Sequence, residues 1–332
     1  TQYLGLEGFG GWVWAFSLVA VAAAAWSFGL QTRLAKTSAQ ITSDISIVPD
    51  LFRKVITIRI CSLMVVSITG AAWLLFVGLP SNAPGKSQLI FGTLIAIFIG
   101  FLFRTTSEVC GAYLRGQLVT WPDGVALFVA RFAFVTLLLG WSFNGTMSLQ
   151  SVGSCFCLSE AIAAIVMFFI FLKKTSVTLR LPNPQTSFMT WQTLLQQVSL
   201  YGGLLIASAF LFRVGILFGG HHLSTTDLGT FAVIHRLNEF SLFLPEAFAA
   251  VLLPLWTQSQ NDTGAAHGIK TTLIMAILGL SVGLVLFLVG PWVLPLVFEQ
   301  EHQAVLPWLW VVIPLFGLQF ANQSLLAQFM SQ

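Results

Sequence analysis

Charge is what this sequence has least of: Asp, Glu, Lys and Arg together account for 8% of 332 residues. A soluble domain carries about 25% charged residues because its surface must face water, so a water-soluble globular protein is excluded. Cysteines number four (Cys61, Cys110, Cys155 and Cys157), with no Cys-x-x-Cys pair and no histidine cluster beside them. Positions two apart do not share a helix face, so Cys155 and Cys157 suit neither a disulfide nor a metal centre. All four read as apolar packing. Alternation of apolar and polar residues is missing too, which removes a membrane β-barrel.

What fills the chain instead is apolar, at 56% hydrophobic residues and a mean hydropathy of +0.87. This material comes in continuous blocks of roughly 17–25 residues, the length needed to cross a bilayer as a helix. Lipid offers backbone groups no partner, so each block must satisfy its own hydrogen bonds by forming a helix. Nine spans are expected, near 11–30, 56–79, 88–112, 124–143, 151–172, 192–218, 228–256, 271–297 and 304–328. The expected fold is all-α, a polytopic transmembrane helix bundle.

Basic residues then orient the spans, because cytoplasmic loops are rich in Lys and Arg. One set of loops or loop edges carries Arg33, Lys36, Arg53, Lys54, Arg104, Arg115, Lys173, Lys174, Arg180 and Lys270. The alternate loops, near 80–87, 144–150, 219–227 and 298–303, hold Lys86 alone. The first set is therefore expected in the cytoplasm and Thr1–Gly10 outside. Polytopic bacterial proteins usually begin inside, so one helix is expected upstream of Thr1.

An internal repeat points the same way. Gly100-Phe101-Leu102-Phe103 is matched by Gly317-Leu318-Gln319-Phe320, and Phe9-Gly10-Gly11-Trp12 by Leu228-Gly229-Thr230-Phe231. These pairs equate the first span with the seventh and the third with the ninth. Both members of each pair cross in the same direction, which implies parallel repeats about an axis along the membrane normal. Two pseudo-symmetric lobes are expected: 1–172 lacking its first helix, a cytoplasmic linker at 173–191 with Pro182 and Pro184, and 192–332 lacking its last two.

Leu4-Gly5-Leu6-Glu7-Gly8-Phe9-Gly10 before an apolar helix resembles the start of the second helix of Wzx-type polysaccharide or O-antigen flippases. These are members of the multidrug/oligosaccharidyl-lipid/polysaccharide exporter superfamily. Asp227-Leu228-Gly229-Thr230-Phe231 through Arg236-Leu237-Asn238-Glu239, ending in Leu253-Pro254, resembles the same element of the second half. Leu294-Pro295-Leu296-Val297-Phe298 resembles the turn into a later helix. The likeness covers most of the chain through small apolar patterns. It departs from the family at Arg213, where relatives often carry an acidic residue, so ion coupling there is not implied. The resemblance implies a V-shaped, MATE-like pair of lobes around a cavity that alternates between the two sides. It implies a cargo of undecaprenyl-diphosphate-linked oligosaccharide, for surface polysaccharide synthesis at the bacterial inner membrane. Expected partners are that lipid, membrane lipids and other polysaccharide-assembly proteins. No nucleic acid, cofactor or metal is expected.

Charges within such spans cost about 2.5–3.5 kcal/mol each on insertion scales, so they face a bundle interior or a cavity. A diphosphate crossing that cavity needs countercharge, and arginine offers a planar donor fork. Arg59 and Arg104 sit near the cytoplasmic edge, where snorkelling to the interface is expected. Arg131 stands open between snorkelling and the lumen, while Arg213 and Arg236 read as substrate residues. In the seventh span His235, Glu239 and Glu246 share one helix face, beside Asn238 and the helix-bending Pro245. They form either an internally paired knot or a lumen site. Glu246 is the expected proton carrier and Glu239 the structural partner. Glu160 in the fifth span either binds a coupling cation or stays protonated. Gly202-Gly203 and Gly219-Gly220 permit close packing or a helix break, and His221-His222 reads as incidental. Trp12, Trp14, Trp121, Trp141, Trp191, Trp292 and Trp308, at span ends, read as interfacial belts.

Two other readings compete. A MATE-like multidrug exporter would need acidic cation sites in the first lobe, where Glu160 alone is deep. A membrane glycosyltransferase or polymerase would need a sizeable outer loop or clustered carboxylates. Every outer loop is about ten residues or fewer by the spans assigned above, so a transporter rather than an enzyme is expected. The orientation is directly testable. A reporter inserted at Ser81–Pro84 should be active only outside the cytoplasm and one at Thr175–Thr178 only inside; the opposite pattern inverts the assignment.

Overall fold

In the computed structural model of the chain, residues 5–31, 34–35, 48–77, 87–117, 119–143, 147–174, 191–241, 264–298 and 305–331 are described. Every regular element among them is helical. The α-helices are α1 (Gly5–Ser27), α2 (Val48–Val77), α3 (Ser87–Gly116), α4 (Trp121–Ser142), α5 (Leu149–Lys174), α6 (Trp191–His222), α7 (Thr225–Ser241), α8 (Gly264–Phe298) and α9 (Val312–Ser331). Each expected span overlaps one of these helices. Six stretches among the described residues are long and apolar enough to cross a membrane: Gly5–Ser27, Phe91–Gly116, Trp121–Ser142, Leu149–Lys174, Gly202–His222 and Gly268–Pro295. The chain is thus a multi-pass membrane protein by helix length and composition.

One helix end differs from the sequence expectation. The ninth span opens as a 3-10 helix, Leu306–Val311, before continuing as α9. Pro307 and Pro314 sit in the first turns of the two segments, where a missing N–H is tolerated. The stretch 294–298, likened to a turn by resemblance, is the last turn of α8, which runs through Pro291 and Pro295 to Phe298 and so ends where the expected span at 271–297 does. The linker expected at 173–191 lies outside the described residues from 175 to 190.

By contacts the chain divides into two units, one of Gly11–Leu223 and one of Thr1–Gly10 with Ser224–Gln332. The sequence places α6 after the linker, in the second lobe; its contacts group it with α1 to α5. In the Gly11–Leu223 unit α5 packs on α3 and α4. A Cβ on Gly100 would come within 2.7 Å of the Phe156 ring, so only glycine lets α3 and α5 approach this closely. Phe156 joins Trp12, Phe16 and Phe101 in a cluster of tilted and edge-on rings. A second cluster gathers Leu30, Val55, Val109, Met167 and Phe171.

The α1–α6 seam is built on small residues. α1 ends with Phe28 at φ 44° and Gly29 at φ 67°, a left-handed helix stop that glycine adopts freely and phenylalanine rarely does. Gly202 makes room for that Phe28, whose ring a Cβ would meet at 2.9 Å. Gly220 makes room for the Trp14 indole. Gly202 and Gly220, one from each glycine pair, therefore serve close packing, and α6 runs unbroken through both pairs. Trp12 and Trp14 are 8% and 3% exposed, which corrects their reading as belt residues. Both are consumed by packing: Trp14 Nε1 donates to the Leu217 carbonyl at 3.3 Å, and Trp12 meets Phe156 edge-on. Trp121, Trp141, Trp292 and Trp308 are exposed as a belt requires. The side chain of Trp191 lies outside the described residues.

In the other unit α8 packs along α9, and α9 touches α7. Leu6, Val233, Leu294, Val305 and Leu309 form its core. A Cβ on Gly10 would meet the Gly229 nitrogen at 2.8 Å, so α1 and α7 meet backbone to backbone. The α8–α9 crossing is similar: a Cβ on Gly279 would lie 2.5 Å from the Phe316 carbonyl oxygen, and one on Gly283 2.7 Å from the Ile313 Cα. Small residues allow such approach where lipid supplies no hydrophobic drive between helices. Gly279→Ala should therefore destabilise the protein by about 1–3 kcal/mol, the cost of overpacking. Gly203→Ala, where a Cβ meets nothing within 4 Å, should be neutral. Unfolding in mixed micelles checks both.

Candidate functional site

Several charged residues of the apolar helices come together in the Gly11–Leu223 unit. Arg104 and Glu108 on α3 are one turn apart and pair at 3.2 Å. The other oxygen of Glu108 accepts from Gln31 Nε2 at 2.5 Å. Glu108 also acts electrostatically on Arg59 of α2. Arg59 Nη2 is buried with no hydrogen-bond acceptor among the described residues. Nearby, Arg131 of α4 reaches Glu160 of α5 at 3.9 Å, ionic proximity rather than a hydrogen bond. Glu160 is 4% exposed and lies within the fields of Arg104, Arg131 and Glu108. Three guanidinium groups thus face two carboxylates across α2, α3, α4 and α5.

Arg59 and Arg104, expected to snorkel, both have partners or burial within the protein. A carboxylate one turn along α3 holds Arg104, whose guanidinium also sits 5.7 Å over the Phe101 ring. Arg59 keeps one nitrogen inside the protein. Glu108 and Gln31 are the members the sequence reading missed. The spacing of Arg104 and Glu108 was a legible signal, because four apart is one helix face. Gln31, just after α1, carries no such sign.

Arg213 belongs to the same unit by a different route. It donates to Ser17 Oγ at 3.1 Å and stacks over Phe16 at 5.4 Å and Phe212 at 6.0 Å. Cation–π contacts of this kind hold a guanidinium in place while keeping its charge. Arg236, expected to act with Arg213, falls in the other unit. There Arg236 pairs with Glu239 one turn away, and His235 Nδ1 lies 3.8 Å from the same carboxylate. Glu239 is engaged inside α7 by two neighbours. Glu246 and Pro245 lie outside the described residues, and so does the side chain of Asn238. Cys61, Cys110, Cys155 and Cys157 are all free thiols, with Cys110 and Cys155 buried.

Another ion pair closes the loop between α3 and α4. Arg115 donates to Asp123 Oδ2 at 2.5 Å, and the same carboxylate packs directly against Gly111.

If Glu108 is the node between Arg59 and Arg104, removing its charge leaves two cations facing each other. Glu108→Gln should destabilise the protein, and adding Arg104→Gln should recover part of the loss. A double-mutant cycle of unfolding in micelles should give a coupling of about 0.5–3 kcal/mol. Strict additivity would mean the two groups do not act together.

No protein-family model matches the chain, and comparison with curated proteins and with solved structures returns no match.

Proposed function

We propose that this chain is a transporter of the lipid-linked-sugar flippase type, moving a polyprenyl-diphosphate-linked oligosaccharide across the bacterial inner membrane by alternating access. The observation that carries the reading is the charge cluster. Arg59, Arg104 and Arg131 outnumber Glu108 and Glu160 within helices whose other residues are overwhelmingly apolar. A cation in such a helix is expensive, and an anionic cargo would offset that cost with charge-assisted hydrogen bonds. Arg213, held on aromatic faces, adds a further cation to the same unit.

Two further points support a flippase. Gly10 and Gly229, matched as repeat positions in the sequence, lie in direct contact. Contact between positions matched by the repeat is consistent with a pseudo-two-fold relation between the repeated segments. The sequence resemblance supplies the cargo class. In this reading Arg104 and Arg131, on α3 and α4, hold the diphosphate, and Arg213 and Arg236 are further candidates for countercharge. Glu160, Glu239, Glu246 and His235 are the candidates for ion coupling.

One observation favours a second reading, a cation-coupled small-molecule exporter. Glu160 is deep, and Glu108 lies within its field, so two carboxylates stand in the first lobe. Reconstitution separates the two. Proteoliposomes containing the protein should expose a polyprenyl-diphosphate-linked oligosaccharide to an external glycosidase faster than empty liposomes do. Arg131→Gln should lose most of that rate and Arg131→Lys should keep part of it, at equal protein incorporation. Failure of the wild type to move the lipid, with sodium- or proton-driven efflux of an organic cation instead, would select the exporter.

A further inference from the structure

A cavity of about 1080 Å³ opens between α1, α2, α3 and α6, wholly within the Gly11–Leu223 unit. Its walls are almost entirely apolar, with Val21, Leu94, Phe98, Phe210 and Leu217 among them. One of the few polar side chains on the wall is already satisfied: the Thr69 hydroxyl donates to the Val65 and Val66 carbonyls at 2.9 and 3.1 Å. Buried water needs two to four polar partners, and such walls provide few. In a chain of membrane-spanning helices the remaining filler is hydrocarbon.

The cavity's shape narrows the choice. From Phe210 at one end to His222 at the other, α6 advances about 18 Å at 1.5 Å per residue. That is close to one leaflet of a bilayer whose hydrocarbon core is about 30 Å thick. A polyprenyl chain is much longer than one leaflet, whereas a phospholipid acyl chain fits it. At the rim stand His221, its ring edge-on to Trp14 at 6.1 Å, and the exposed His222. A ring N–H there can donate to a phosphate oxygen. We propose that this cavity holds one acyl chain of a membrane phospholipid, with the lipid's phosphate against His222. The site is independent of what the protein transports.

Gly70 offers the means of testing it. It lines the cavity, and a Cβ built there meets nothing within 4 Å, so a larger side chain enters the open space without displacing protein. The experiment is native mass spectrometry of the detergent-purified chain after delipidation and titration with phosphatidylglycerol. The wild type should retain one phosphatidylglycerol at saturation. Gly70→Leu should lose it, and Ile95→Phe, a second filler on another helix, should do the same. His222→Ala should weaken retention about tenfold, the loss of one hydrogen bond to a charged group. Helical circular dichroism identifies any filler that fails to fold, and the other then decides. The proposal is overturned if the wild type retains no phospholipid, or if a folded filler variant retains as much as the wild type. Displacement by equimolar polyprenyl phosphate, or a second copy of the chain in place of the lipid, overturns it as well.

Discussion

A carboxylate on an apolar helix has few places to put its charge, and Glu108 illustrates how this protein deals with the problem. Its two oxygens are divided between Gln31 and Arg104, and its field extends to Arg59 and Glu160. Hydrocarbon amplifies every unpaired charge, so these groups are arranged relative to one another before any other requirement is met. The result links α2, α3, α4 and α5, with Gln31 bringing in the segment just after α1. Among the described residues of this cluster, three arginines face two carboxylates.

Close helix contact is the second organising device, and it follows from the same solvent. Lipid tails are as apolar as leucine, so burying leucine against leucine gains little, and tight van der Waals packing has to serve instead. Glycines are placed where two backbones or a backbone and a ring would otherwise collide: Gly100 under Phe156, Gly220 under Trp14, Gly279 and Gly283 against α9. The same logic explains why Trp12 and Trp14 are interior. Their rings fill the space that neighbouring small residues leave open, and Trp14 has its N–H satisfied by the Leu217 carbonyl.

The two charge groups would bear on the proposed transport in different ways. The Arg236–Glu239–His235 group is confined to adjacent turns of α7, and such local pairs stabilise a helix whatever its surroundings. The α2–α5 cluster is drawn from four helices, so its charge balance depends on how those helices pack. A cargo anion entering such a cluster would compete for the arginines with Glu108 and Glu160. That competition is a physical route by which binding could be tied to helix movement, since each arginine that turns to the cargo frees a carboxylate.

Much of this architecture was legible from the residues alone, for reasons rooted in the solvent. A bilayer imposes helix and span length through hydropathy, which is a local property; each of the nine expected spans overlaps a helix, and six of the described helices are long and apolar enough to cross. The Arg236–Glu239 and Arg104–Glu108 pairs were equally accessible, because helical periodicity places them on one face. What periodicity could not express was partnership across distance. Gln31 with Glu108, Arg131 with Glu160, Ser17 with Arg213 and Trp14 with Leu217 are separated by 77, 29, 196 and 203 positions. The grouping of α6 with α1 to α5 is of the same kind. Sequence determined which segments are helical and where charge would be costly; only tertiary packing decided which charges meet, because in hydrocarbon that choice is made by neighbouring helices rather than by water.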